Sequence, residues 1–174
     1  MKENLRGIRL LLLDVDGVLT DGRIIYDANG VESKCFDVKD GHGIKMLQRA
    51  GIRVGIITGR QSPVVLLRAR ELGIDLVIQG AKQKLPPYET ILREQGLADH
   101  QVAYVGDDLI DLPILRRVGF AATVADGVEE MREHVDYVTR CSGGRGAVRE
   151  ICDMLLRETG LWQTSVARYY ENSD

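Results

Sequence analysis

The chain has 174 residues, a length that argues for one domain able to bury a core without disulfides or metal. With 23 Lys+Arg against 26 Asp+Glu it carries a net charge of −3 and lacks a nucleic-acid binder's basic excess, while 44% hydrophobic and 28% charged content excludes disorder. Cys35, Cys141 and Cys152 show no CxxC spacing, and neither a signal-like leader nor an apolar run of ~18 residues is present, so a cytoplasmic protein without membrane contact is expected.

The first short apolar run is Leu10 to Leu13. It is followed by a segment from Asp21 to Gly43 in which Asn29-Gly30 stands between the β-formers Arg23 to Tyr26 and Val31 to Val38. Asn-Gly so flanked predicts a hairpin, placed here as a flap at the carboxyl edge of the sheet. The flap carries Ile24, Ile25, Tyr26, Val31, Cys35, Phe36 and Val38, more apolar surface than a lone ribbon can expose stably. A helix led by Ile44 and Leu47 comes next, with His42 at its opening. Val54 to Ile57 reads as a strand, and Ser62-Pro63 then opens a helix over Val64 to Leu72. Strand Leu76 to Ile78, helix Leu85 to Gln95, strand Val102 to Val105, helix Leu109 to Val118 and strand Phe120 to Val124 continue the alternation, with Gly96 and Gly119 closing the two helices. Val148, Ile151, Cys152, Leu155 and Leu156 recur at helical spacing, whereas Trp162 to Asp174 lose periodicity and read as a mobile tail. Five strands alternating with helices predict an α/β fold, a three-layer, doubly wound, Rossmann-like parallel sheet with right-handed crossovers, in one domain over residues 1–174.

Open α/β sheets bind ligands beyond the carboxyl ends of their strands, so the residues that follow each strand carry the functional argument. Asp14 and Asp16 follow the first, Thr58-Gly59-Arg60 the second, Lys82 and Lys84 the third, and Asp107-Asp108 with Asp111 the fourth. Lys84 is preferred over Lys82 because it directly precedes Leu85-Pro86-Pro87. Two carboxylates two residues apart repel, and one keeps its proton to higher pH, which suits a nucleophile beside a general acid. Acids this dense need a hard cation, and oxygen ligands select Mg²⁺. A hydroxyl and a lysine opposite would hold a dianion. The chemistry inferred is phosphoryl transfer onto a carboxylate, with an aspartyl phosphate as intermediate. Plainer roles remain beside it: Asp107 and Asp111 as helix caps, Arg60 as a solvated arginine, Gly143 to Gly146 as a loop into the last helix. A phosphate-accepting signalling or regulatory module is the alternative of another class, but it would leave Asp16 without a leaving group to protonate.

Asp14-x-Asp16-Gly17-x-x-Thr20, Thr58, Lys84 and Gly106-Asp107-Asp108-x-x-Asp111, in this order, resemble the four motifs of the haloacid dehalogenase-like phosphatases. Ile57-Thr58-Gly59-Arg60 and Gly143-Gly144-Arg145-Gly146 narrow the resemblance to the branch without a cap domain that acts on sugar-acid phosphates, and it spans residues 8 to about 158. The resemblance implies Asp14 as nucleophile and Asp16 as acid and then base. It implies Mg²⁺ on Asp14, Asp107 and the backbone carbonyl of Asp16, with Thr58, Gly59, Arg60, Lys84 and Arg145 on phosphate or substrate. Asp108 and Asp111 would act behind these, through water or Lys84. The implied substrate is an eight-carbon sugar-acid phosphate, with a nine-carbon ulosonic acid phosphate as alternative. The implied assembly is a homotetramer joined through the flaps, in which Arg145 grips substrate in trans.

Overall fold

Leu10–Leu13 forms strand β1, and all four leucines are buried. Successive strand side chains point to opposite faces, so Leu11 and Leu13 enter one hydrophobic cluster and Leu10 and Leu12 the other. A strand that feeds two cores belongs mid-sheet, and β1 lies there. In the computed structural model, which describes residues 5–170, Ile25–Tyr26 (β2) and Glu32–Ser33 (β3) pair antiparallel as a separate hairpin. The remaining strands are Arg53–Ile57 (β4), Leu76–Ile78 (β5), Val102–Gly106 (β6), Phe120–Thr123 (β7) and Tyr137–Val138 (β8). With β1 they make one parallel sheet in the order β5-β4-β1-β6-β7-β8.

The helices are Val38–Arg49 (α1), Pro63–Leu72 (α2), Leu85–Gln95 (α3), Leu112–Leu115 (α4), Ala147–Glu158 (α5) and Trp162–Ala167 (α6). Apolar faces of α1, α2 and α5 join Leu11 and Leu13, while Tyr88 and Ile91 of α3 and Ile114 and Leu115 of α4 join Leu10 and Leu12. The doubly wound, three-layer sheet is therefore the one the sequence predicts. Its strand order reverses beside β1: the chain runs from β1 out to β4 and β5, then returns to β6 on the other side. The crevice at the carboxyl ends of β1, β4 and β6 is where such sheets bind ligands. Among the described residues no helix is long and apolar enough to cross a membrane.

Five expectations need correction. The flap ends sooner than Gly43, because Asp37 caps α1 by accepting a hydrogen bond from the Lys39 amide at 2.6 Å, and His42 falls in mid-helix. Gly41 and Gly43 read as loop residues but serve close packing: a Cβ on Gly41 would lie 2.4 Å from Arg68 Nη2, and one on Gly43 2.9 Å from Arg149 Cδ. The sheet gains a sixth strand, β8, too short to leave a pattern in the sequence. The helix expected over Leu109 to Val118 is a 3₁₀ turn, Leu109–Asp111, followed by the single turn of α4. The segment from Trp162 is not a loose tail, since α6 docks: Trp162 packs on the core beneath the Arg157 guanidinium, 3.7 Å from its ring, and Val166 is buried. Residues 171–174 of that segment lie outside the described residues.

Candidate active site

Asp14 extends β1 by one residue, its amide donating to the Val105 carbonyl of β6 at 3.0 Å. The chain then turns tightly, with the amides of Val18, Leu19 and Thr20 all donating to the Val15 carbonyl. Gly17 makes this turn at φ +92°, and a Cβ there would lie 2.0 Å from Asp107 Oδ2, so glycine is what lets the Asp107 carboxylate rest against the loop. The Thr20 hydroxyl accepts from the Gly17 and Gly22 amides and closes the turn.

Lys84 is buried at the start of α3, and its Nζ lies 2.9 Å from Asp14 Oδ1 and 2.6 Å from Asp111 Oδ1. Asp111, also buried, accepts from the Tyr104 hydroxyl at 2.6 Å and from the Asp107 and Asp108 amides at 3.2 and 3.4 Å. It thereby aims Lys84 at Asp14 and shapes the Asp107-Asp108 loop. Lys82, by contrast, is exposed. Thr58 is held at the end of β4 by its amide on the Ile78 carbonyl, 2.9 Å. Asp108 accepts from the Leu109 amide at 2.7 Å, as a cap of the 3₁₀ turn.

Eight of the residues singled out in the sequence, Asp14, Asp16, Thr58, Gly59, Arg60, Lys84, Asp107 and Asp108, line one cleft of about 280 Å³ with Ile110 at its rim. Asp111 lies directly behind it. Arg145 is not part of this lining: its mostly exposed side chain reaches Asp21 Oδ2 at 3.7 Å. A wider hollow of about 590 Å³ opens at the amino ends of the strands, between Leu10, Arg53 and Gln95, where Asp75 is the lone acid.

Three further residues belong to the site and were missed. Tyr104 hides inside the apolar run of β6, its hydroxyl the one polar group there. Lys34 and Glu32 come from the flap. The Lys34 side chain is 1% exposed and ion-paired with Asp16 Oδ1, with Glu32 Oε1 at 3.5 Å. Arg60 donates to Glu32 Oε1 at 2.7 Å and to the Tyr26 hydroxyl at 3.0 Å, and its Nε lies 3.8 Å from Asp16 Oδ2. The signal was period two: Glu32, Lys34 and Phe36 alternate with the outward Val31, Ser33 and Cys35.

Burial pushes the Asp14 carboxyl up to about 6, against the pull of Lys84. Asp107 is pushed up to about 8, by burial first and then by the Asp14 and Asp111 carboxylates. Burial opposes the Lys84 ammonium, yet Asp14 and Asp111 outweigh it and hold Lys84 above the ordinary lysine range. The cluster thus holds more acid than its one lysine can neutralise. Asp14, Asp107 and Asp111 each bring an oxygen within 4.8 Å of the others, an all-oxygen set that fits a hard divalent cation. Asp111 already spends its oxygens on Lys84, Tyr104 and two amides, which leaves Asp14 and Asp107 as the side chains free to bind one.

The chain is similar to known proteins over most of its length. Residues 36–119 match the haloacid dehalogenase-like hydrolase family. The 3-deoxy-D-manno-octulosonate 8-phosphate phosphatase of Escherichia coli is 50% identical over 153 residues, 88% of this chain and 81% of its own. The chain belongs to the haloacid dehalogenase-like hydrolases. Among solved structures of this hydrolase family, the Yersinia pestis 3-deoxy-D-manno-octulosonate 8-phosphate phosphatase superposes with a TM-score of 0.92 at 44% identity, covering 93% of this chain and 88% of that one. The Moraxella catarrhalis phosphatase of the same name, solved with magnesium, phosphate and KDO (3-deoxy-D-manno-octulosonate), gives 0.94 at 42% identity and covers 97% of both chains. The chain places its acids at the switch point of the sheet, and among the described residues the insertion after β1 is a hairpin and no larger domain.

Proposed function

We propose that this chain is a divalent-cation-dependent phosphatase that hydrolyses 3-deoxy-D-manno-octulosonate 8-phosphate to the free sugar acid and phosphate. The observation that carries the reading is Asp14, ion-paired with a buried lysine at the head of a small acidic cleft, in a chain half identical to a phosphatase of that name. Asp14 attacks phosphorus as the bond to the sugar oxygen breaks, giving an aspartyl phosphate. Asp16 delivers a proton to the departing sugar oxygen. It then takes a proton from the water that attacks the aspartyl phosphate, which returns Asp14 as a carboxylate and releases inorganic phosphate. The Thr58 hydroxyl and Lys84 ammonium hold the phosphoryl oxygens through both steps. Mg²⁺ on the Asp14 and Asp107 carboxylates and the Asp16 carbonyl would neutralise charge on the phosphoryl group.

We read the chain as one catalytic domain working in the cytoplasm, in keeping with Cys35, Cys141 and Cys152, none of them in a disulfide. We read the assembly as a homotetramer joined through the flaps, on which Ile24, Ile25, Tyr26 and Val31 stand exposed. A neighbour in that assembly would bring its Arg145 toward the mouth of the cleft. The test is phosphate release from a panel of 3-deoxy-D-manno-octulosonate 8-phosphate, N-acylneuraminate 9-phosphate, a pentose 5-phosphate and p-nitrophenyl phosphate, with Mg²⁺ and with EDTA. The reading expects the eight-carbon ester to have the highest kcat/KM and EDTA to silence every substrate. Preference for the nine-carbon ester would overturn the substrate, and full activity in EDTA the metal.

A further inference from the structure

We propose that Lys34, delivered by the flap, is a positioning residue for the acid–base group Asp16. The inference rests on the role given to Asp16 above and adds to it what holds that carboxylate in place. Lys34 stands on a two-stranded ribbon whose outward residues are exposed, yet its own side chain is 1% exposed. Enclosing an ammonium costs several kcal/mol unless an anion compensates it, and here Asp16 and Glu32 do so. The two oxygens of Asp16 meet different parts of the fold: Oδ1 meets Lys34 from the flap, and Oδ2 faces Arg60 after β4 at 3.8 Å. Glu32 lies between the two cations, 3.5 Å from Lys34 Nζ and 2.7 Å from Arg60 Nη2, so positive and negative groups alternate around the ring. A carboxylate anchored at Oδ1 by Lys34 and drawn at Oδ2 toward the Arg60 guanidinium has little freedom to swing about its side-chain torsions. Proton delivery demands hydrogen-bond reach, and a displacement of ~1 Å can cost ~100-fold in rate. Because Lys34 is enclosed and already satisfied by two carboxylates, it is poorly placed to grip substrate itself. The ribbon thus serves as a clamp that aims the acid–base group.

The experiment is a double-mutant cycle on the full-length protein with Mg²⁺, read on the sugar-acid phosphate and on p-nitrophenyl phosphate. Lys34→Met is expected to lower kcat on the sugar ester ~30-fold with KM changed less than ~3-fold, and to slow by under ~3-fold the single-turnover burst of p-nitrophenolate, which precedes the water step and whose leaving group needs no proton. In an Asp16→Asn background the same change should cost less than ~2-fold, since nothing is left to position. Lys34→Gln, also neutral but polar, is read in the same cycle and should fall with Lys34→Met. Wild-type kcat in both neutral variants would overturn the proposal, as would a rise in KM alone, which marks a substrate-binding lysine. Equal losses in both backgrounds would also overturn it, as general damage to the fold. If Asp16→Asn alone slows the p-nitrophenolate burst as much as single-turnover release of the sugar acid, the acid reading of Asp16 falls, while the coupling between Lys34 and Asp16 is still read from the cycle.

Discussion

Replacing Asp107 by Asn should make the metal-free protein more stable while removing its function. Among the described residues no hydrogen bond involves the Asp107 carboxylate, so an amide of the same shape gives up no partner. The charge, by contrast, is unwelcome: burial, Asp14 and Asp111 push this carboxyl up to about 8 from 3.8. Between those two values the folded chain keeps a proton that the unfolded chain releases. Stability therefore falls as pH rises through that window, and the loss is complete above about 8. Moving one acid's titration over that range corresponds to a ceiling of ~6 kcal/mol. Water at the mouth of the cleft screens part of the repulsion, leaving ~2 kcal/mol, or ~6 °C in Tm at this chain length. The assay is thermal melting in EDTA across pH 5 to 9, repeated with Mg²⁺. Asp107→Asn should melt above wild type at pH 8.5 in EDTA, with the gap closing toward pH 5. Added Mg²⁺ should raise the wild type and leave the variant nearly unmoved. A variant that melts below wild type in EDTA at pH 8.5, or a gap independent of pH, would refute the reasoning.

Asp14→Asn should lower kcat at least ~1,000-fold with the fold intact by circular dichroism, because the amide keeps the shape and loses the nucleophile; turnover within ~10-fold of wild type would remove Asp14 from that role. Asp40 of α1 is buried and accepts from the Arg149 amide in the first turn of α5 at 2.7 Å, where Gly146 has no side chain to cap the helix. Asp40→Ala should cost ~2 kcal/mol in denaturant unfolding and Asp40→Asn under ~1, the amide oxygen replacing the carboxylate; equal costs would show that charge and not capping matters. Ile25→Asp with Val31→Asp, both exposed on the flap, should split the oligomer in sedimentation and depress activity together. A wild type that sediments as an active monomer of 19.4 kDa would exclude that assembly.

What the sequence made legible follows the range of the forces involved. The buried strands announce themselves because each run must be apolar on both faces, and all five begin within one residue of the expected position, β1 and β5 matching it at both ends. The acids after β1 and β6 are legible because repelling carboxylates at strand ends have no structural reason to gather. For Lys34 the alternation marks an inward face but not the partner, which is 18 residues away across a turn, and lysine on a hairpin is ordinarily solvated. The glycines of α1 misled because helix propensity counts against glycine, while packing against Arg68 and α5 demands it.

The Gly143 to Gly146 loop shows the same long-range logic at the site itself. The Gly144 amide donates to the Val18 carbonyl at 2.9 Å, and the Gly143 amide to Asp126 Oδ1 at 2.9 Å, so this loop buttresses the turn that carries Asp14 and Asp16. It leads into α5, whose first turn is capped by Asp40 of α1, and α1 begins where the flap ends. The flap is therefore tied to the nucleophile's loop twice: through Lys34 on Asp16, and through α1, Asp40 and α5 behind it. A hairpin standing alone would be too weak to aim a proton donor. Held at both ends by buried polar contacts, it has the rigidity that the chemistry at Asp16 requires.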